Sequence, residues 1–148
     1  MIKTNARKTT YGGITFRSGL EAKVAKILNN LKIKWSYESI KLDYEQRVTH
    51  KKLRCDKCGG GDITVMRQYT PDFILKSPKR VLEVKGRFSM SDRKKMLSVI
   101  KNNPKVRVVI ILQQPNAKIS KKSKKTYGSW CTENNIEWVG FDNLIKYL

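Results

Sequence analysis

Asp72, Glu83 and Lys85 are the side chains with which this sequence can do chemistry. Glu83 and Lys85 lie two apart in the run Arg80 to Lys85, which reads as a strand, so they share one face while Leu82 and Val84 point to the other. One face is then apolar and one charged. Tyr69 to Leu75 reads as a second strand, and Lys76-Ser77-Pro78-Lys79 between the two is a turn signal. In a hairpin centred on Ser77-Pro78, positions 72 and 83 are equidistant from the turn, which sets Asp72 opposite Glu83 with Cβ atoms about 4.5 to 5.5 Å apart. Carboxylates in that relation repel and raise each other's pKa unless a cation lies between them. A divalent metal meets that need, and hard oxygen donors in an incomplete shell favour Mg²⁺, with Mn²⁺ as its substitute. The chemistry implied is phosphodiester hydrolysis, in which the ion polarises the ester, supplies hydroxide near neutral pH and stabilises the leaving oxygen. Lys85 is placed to orient or deprotonate the attacking water, or to neutralise developing charge. Glu21 is a candidate third carboxylate and metal ligand. The same D…ExK spacing also occurs in ordinary surface ion-pair clusters, and helix capping alone accounts for Glu21.

The elements that must position these groups follow from periodicity. Residues 1–15 carry Lys3, Arg7 and Lys8, no acid, and Gly12-Gly13, the composition of a flexible basic arm that orders on a partner. Leu20, Val24, Ile27, Leu28 and Leu31 recur at helical spacing after Ser18, a natural N-cap with Glu21 at the capping-box position, which predicts a helix over 19–31. Ile33, Trp35 and Tyr37 alternate with polar residues as in a half-buried strand. Residues 43–67 are polar and Gly-rich without a sustained period and read as a bridge or insertion. After Ser91-Asp92, Met96, Leu97, Val99 and Ile100 predict a second helix, stopped before Asn102-Asn103-Pro104. Val106 to Leu112 suits a central strand covered on both faces. A lysine-rich loop over 113–125 precedes a short helix capped by Thr126, a strand from Ile136 to Val139 and a closing helical turn. The order αβββαβαβ predicts a single α/β domain over 16–148, a mixed central sheet of four or five strands flanked by helices.

Of the 148 residues, 32 are Lys or Arg and 12 Asp or Glu, a formal charge of +20 with 39% hydrophobic residues. Such an imbalance points to a polyanionic partner and away from catalysis on small neutral metabolites. No apolar run approaches the roughly 20 residues that span a bilayer, and the opening residues lack a signal-peptide core, so no membrane and a cytoplasmic location are expected. Three cysteines do not form a secreted disulfide framework.

Thr15-Phe16-Arg17-Ser18-Gly19-Leu20-Glu21, Tyr69-Thr70-Pro71-Asp72-Phe73, Leu82-Glu83-Val84-Lys85-Gly86 and Ser91-Asp92-Arg93-Lys94-Lys95 follow one another in this order, and Thr126-Tyr127-Gly128-Ser129-Trp130-Cys131 comes later. With these motifs the chain resembles the phage endonuclease I family over about residues 11 to 140, outside the bridge. The resemblance implies a restriction-endonuclease-like core in a domain-swapped homodimer. It also implies an Mg²⁺-dependent crossover junction endonuclease that recognises four-way DNA junctions by shape and nicks two strands symmetrically, in the host cytoplasm. By the match, Glu21, Asp72, Glu83 and Lys85 fall on the family's catalytic positions, with Glu21 meeting the other three across the swap. The family's acidic residue on the strand near 36 is Ser36 here, with Glu38 nearby.

The bridge is longer than the family's and contains Arg54-Cys55-Asp56-Lys57-Cys58-Gly59, half of a zinc ribbon or a knuckle. A structural zinc takes four ligands. In the dimer that the resemblance implies, two bridges are expected to pair Cys55 and Cys58 with their copies around one Zn²⁺, with His50 as a third ligand within one chain as the competing arrangement and a redox pair or a metal-free loop as the alternatives. Cys131 reads as core packing. Between Arg93 and Thr132 stand 11 Lys or Arg and no acid. The candidate DNA-backbone contacts are Arg7, Lys8, Arg17, Arg87, Arg93, Lys94, Lys95, Lys118, Lys121, Lys122, Lys124 and Lys125. No base-reading helix or stacking platform stands out, as suits recognition by shape. Two other readings fit the same residues, a sequence-specific nicking or homing endonuclease and a non-catalytic basic nucleic-acid-binding protein.

Overall fold

The computed structural model describes residues 6–49 and 61–148. Its centre is a five-stranded sheet built from β3 (Trp35–Tyr37), β6 (Phe73–Lys76), β7 (Lys79–Lys85), β8 (Val108–Leu112) and β9 (Glu137–Gly140), in that spatial order. Neighbours β3, β6 and β7 run antiparallel, whereas β7, β8 and β9 are parallel. The parallel strands are joined by helices, α2 (Met90–Asn102) between β7 and β8 and α3 (Tyr127–Glu133) between β8 and β9, because parallel neighbours need a crossover.

Alternation along the strands feeds two cores. Phe73, Leu75, Leu82, Val84, Val109 and Ile111 face α1 (Gly19–Asn30) and its Val24, Ala25 and Leu28, while Ile74, Val81, Ile110 and Leu112 face Met96 and Val99 of α2 and Cys131 of α3. The β6–β7 face bearing Glu83 and Lys85 is thus covered, which corrects the expectation of a purely charged face: Val81 begins that row deep in the core, and the charged pair ends it. β8 is buried at every residue, as its apolar run predicts. Cys131 is fully buried and its thiol is pushed up to about 12 by that burial, in keeping with a packing role.

Two segments differ from their sequence reading. Thr9–Tyr11 (β1) and Ile14–Phe16 (β2) pair as a tight hairpin whose turn, Gly12 and Gly13 at φ 58° and 79°, uses the left-handed conformations that glycine adopts without strain. The basic arm is therefore structured from Thr9 onward, and Phe16 is buried at its end. Residues 43–67, irregular by their sequence pattern, supply the arms of a ribbon: β4 (Leu42–Thr49) pairs with β5 (Asp62–Tyr69) over eight residue pairs. Both faces of the outer ribbon meet solvent, so its sequence carries no alternating pattern. Its base is tied to α2, where Asn103 Nδ2 donates to the Asp43 carbonyl at 2.9 Å and Ser98 Oγ to that of Glu45. His50, Cys55 and Cys58 lie outside the described residues. Among the described residues no helix is long and apolar enough to cross a membrane.

Candidate active site

The turn at Ser77-Pro78 fixes the site. It gives the register Phe73↔Leu82, Ile74↔Val81 and Leu75↔Arg80, whose continuation sets Asp72 against Glu83 as the spacing predicts. Asp72 precedes β6 rather than lying within it, because the chain leaves the ribbon at Tyr69 and turns through Thr70 and Pro71. Its Oδ2 accepts from the Val84 amide at 2.7 Å, and its backbone carbonyl from the Glu38 amide at 3.0 Å. Asp72 and Glu83 are each only 4% exposed.

These two carboxylates, with Glu21 and Lys85, line one cleft of about 380 Å³, together with Arg17, Tyr69 and Lys95. A single chain gathers all four, so the structure brings Glu21 to the others without the exchange that the resemblance implies. Glu21 projects from the first turn of α1. Ser18 caps that helix by accepting from the Glu21 amide at 3.2 Å, and the Glu21 carboxylate takes hydrogen bonds from Ser18 Oγ at 2.8 Å, the Arg17 amide at 3.1 Å and the Tyr37 hydroxyl at 2.6 Å. The capping box is therefore shifted by one residue, and Tyr37 completes it. Tyr37 is seated by an aromatic cluster with Phe16 and Phe73, its ring centroid 4.7 and 5.6 Å from theirs.

Electrostatically the cleft sets three carboxylates, Glu21, Asp72 and Glu83, against three cations, Arg17, Lys85 and Lys95. Burial, and then the charge of Glu83, push Asp72 up to about 8, against the opposing Val84 amide and Lys85. Lys85 Nζ lies 2.8 Å from Glu83 Oε1 and 3.5 Å from Asp92 Oδ1. Burial works to lower its pKa, but the charges of Glu83, Asp92 and Asp72 and the bond to Glu83 outweigh it and hold the ammonium form. Arg17 Nη2 sits between Glu38 Oε1 at 2.5 Å and Asp72 Oδ1 at 3.2 Å. Glu38, at a left-handed φ of 46°, thus borders the site through Arg17, whereas Ser36 bonds Ser39.

This donor set suits a hard divalent cation. Two buried carboxylates repel across a strand pair with an open cleft before them, and an added positive charge would relieve both. Among the described residues no three Asp, Glu, His or Cys side chains come together as a metal-holding group, so Glu21 lines the cleft without joining Asp72 and Glu83 as the expected third ligand. A two-carboxylate shell matches an ion such as Mg²⁺, which keeps waters and accepts substrate oxygens.

The expected DNA contacts divide. Arg17 and Lys95 line the cleft, and Arg87 and Asp92 line an adjoining cavity of about 610 Å³ that also reaches Glu21 and Lys85. Arg7, Lys8, Lys94, Lys118, Lys121, Lys122 and Lys124 are exposed. Lys125 is exposed too and pairs with Glu133 at 2.5 Å. Arg93 departs from its expected surface role: it is 7% exposed, its Nη1 donates to the Phe88 carbonyl at 2.6 Å, and its guanidinium lies 5.7 Å over the Trp130 ring. Missed by the sequence reading are Tyr37, Tyr69 and Asp92. Only Asp92, three residues after the capping Ser89, had a local signal.

A mixed sheet whose middle strand carries Glu83 and Lys85 beside the buried Asp72, in a chain of charge +20, places the chain among α/β proteins with a carboxylate–lysine centre. The chain belongs to the phage endonuclease I family, whose model matches residues 1–147. It is 33% identical over 131 residues to endonuclease I of Escherichia phage T7, covering 88% of this chain and 74% of that one. It is also 32% identical over 125 residues to endodeoxyribonuclease 1 of Enterobacteria phage T3, covering 84% and 70%.

Proposed function

We propose that this chain is an Mg²⁺-dependent DNA endonuclease, with Mn²⁺ as substitute, that resolves four-way and other branched junctions by paired nicks. It acts on a restriction-endonuclease-like core as a homodimer, in the cytoplasm of the infected cell. The observation that carries this is the convergence of Asp72, Glu83, Lys85 and Glu21 on one cleft in a chain of charge +20. Asp72 and Glu83 would hold the ion, which supplies Lewis-acid polarisation of the phosphodiester and hydroxide near neutral pH. Lys85 serves as an ammonium: anchored by Glu83 and Asp92, its Nζ donates to the phosphoryl oxygen on which charge grows. Arg17, beside Asp72 and largely exposed at the cleft, would steer the phosphate. Tyr37 keeps the Glu21 carboxylate turned into the cleft.

Symmetric nicking needs two clefts held apart by a dimer, and the exchange of segments between protomers belongs to this proposal. So does zinc: Cys55 and Cys58 of one chain with their copies in a second supply four thiolates. Cleavage of an immobile four-way junction, compared with linear duplexes of varied sequence, tests the substrate. Junction cutting indifferent to arm sequence is expected. Cutting confined to one duplex sequence would favour the nicking-endonuclease reading, and tight binding without scission a non-catalytic basic nucleic-acid-binding protein.

A further inference from the structure

We propose that Tyr69 is a positioning residue that couples the β4–β5 ribbon to Glu83 and holds the carboxylate pair ready for its cation. The inference rests on the nuclease reading above. Tyr69 is the last residue of β5, opposite Leu42 at the ribbon's base, and is 4% exposed. Its hydroxyl donates to Glu83 Oε2 while Lys85 donates to Oε1, so the two oxygens of one carboxylate are fixed from two different sheets. Only Thr70 and the buried Pro71, with its ring-locked φ, separate Tyr69 from Asp72. One short rigid step therefore carries Asp72 itself and the hydroxyl that aims Glu83.

The support of this step is a closed circuit. Lys95 of α2 lies 5.5 Å over the Tyr69 ring, and Asp92 of the same helix holds Lys85. Asn103 and Ser98, further along α2, anchor the ribbon through the carbonyls of Asp43 and Glu45. Ribbon, helix and catalytic strand are thus braced against one another at Glu83. Without the hydroxyl, Glu83 keeps Lys85 alone among the described residues, and its second oxygen is free to turn away from Asp72. Removal of such an outer partner typically costs about 10- to 100-fold in metal affinity or activity.

Tyr69→Phe keeps the ring and its packing and removes the one hydrogen bond. Calorimetric titration of the full chain with Mn²⁺, without DNA, is expected to show a dissociation constant raised about tenfold or more. On a four-way junction kcat should fall at limiting metal and partly recover at high metal, with KM and DNA affinity in EDTA unchanged. Asn103→Ala, which loosens the ribbon's anchor without entering the cleft, is expected to weaken Mn²⁺ in the same direction by less, and it serves if Tyr69→Phe does not fold. Mn²⁺ affinity within twofold of wild type in both variants overturns the proposal, as does a loss confined to DNA affinity. A wild-type chain that binds Mn²⁺ but cuts no DNA would instead remove the nuclease reading, leaving the calorimetric comparison to judge Tyr69.

Discussion

Asp72→Asn separates what the cleft does for chemistry from what it costs the fold. The carboxyl of Asp72 stands at about 8, raised by burial and by Glu83, whereas an unfolded aspartate titrates near about 3.9. The sign follows from proton counting: below about pH 4 both states hold the proton, and up to about 8 only the folded state does. The contribution of Asp72 to stability is therefore fully present in acid and is lost progressively as pH rises from about 4 to about 8. At about 1.4 kcal/mol per pH unit this withholds on the order of 4 kcal/mol at neutral pH. Asparagine retains an acceptor for the Val84 amide but surrenders the approach of Arg17, so about 2 kcal/mol should be regained, or about 5 °C in Tm for a chain of this size. The assay is thermal unfolding of both proteins in EDTA at pH 5 and pH 8. The variant should be more stable by a margin that widens at pH 8, and added Mn²⁺ should raise the wild-type Tm alone. A variant less stable than wild type at pH 8, or a margin independent of pH, would refute the idea that burial and carboxylate repulsion dominate the cleft.

Arg93→Ala is expected to lower stability by about 2 kcal/mol, from its charged bond to the Phe88 carbonyl and its packing on Trp130, while leaving the salt dependence of junction binding untouched, as unfolding curves and binding titrations would show. The exposed pair Lys121 and Lys122 should behave oppositely. Replacing both with alanine leaves Tm unchanged and reduces the slope of log affinity against log salt by about 0.9 for each phosphate no longer neutralised, read by fluorescence anisotropy over a salt series. Metal analysis of the purified protein should give one zinc for two chains, and Cys55→Ser should release it and weaken the dimer in sedimentation; protein free of zinc would discard the shared site.

How much was legible depended on where each partner lies in sequence. The β6–β7 register was readable because the turn at Ser77-Pro78 is local and everything pairs outward from it, so Asp72 and Glu83 could be matched by counting. α1 and α2 showed their periods because each buries one face against the sheet, and β8 showed an unbroken apolar run because it is covered on both. The outer ribbon did not, since a two-stranded element that meets solvent on both faces places no demand for alternation on residues 45–49 and 62–68. Gly12-Gly13 suggests flexibility by composition, yet its left-handed backbone is what closes a hairpin. Charge counting could not see that Arg93 folds inward, because Trp130 lies 37 residues away. Tyr37 and Tyr69 were invisible for the same reason: each is defined by one hydroxyl reaching a carboxylate on another element.

The central claim is that the buried carboxylate pair cuts DNA by gripping a divalent ion. Its most direct test is strand scission of a four-way junction by wild type and Glu83→Gln, each with Mg²⁺ and with EDTA, alongside binding of the same junction. Paired nicks from wild type with Mg²⁺ alone, with binding preserved in all four samples, is the expected result. Cleavage in EDTA or undiminished cleavage by Glu83→Gln would contradict it.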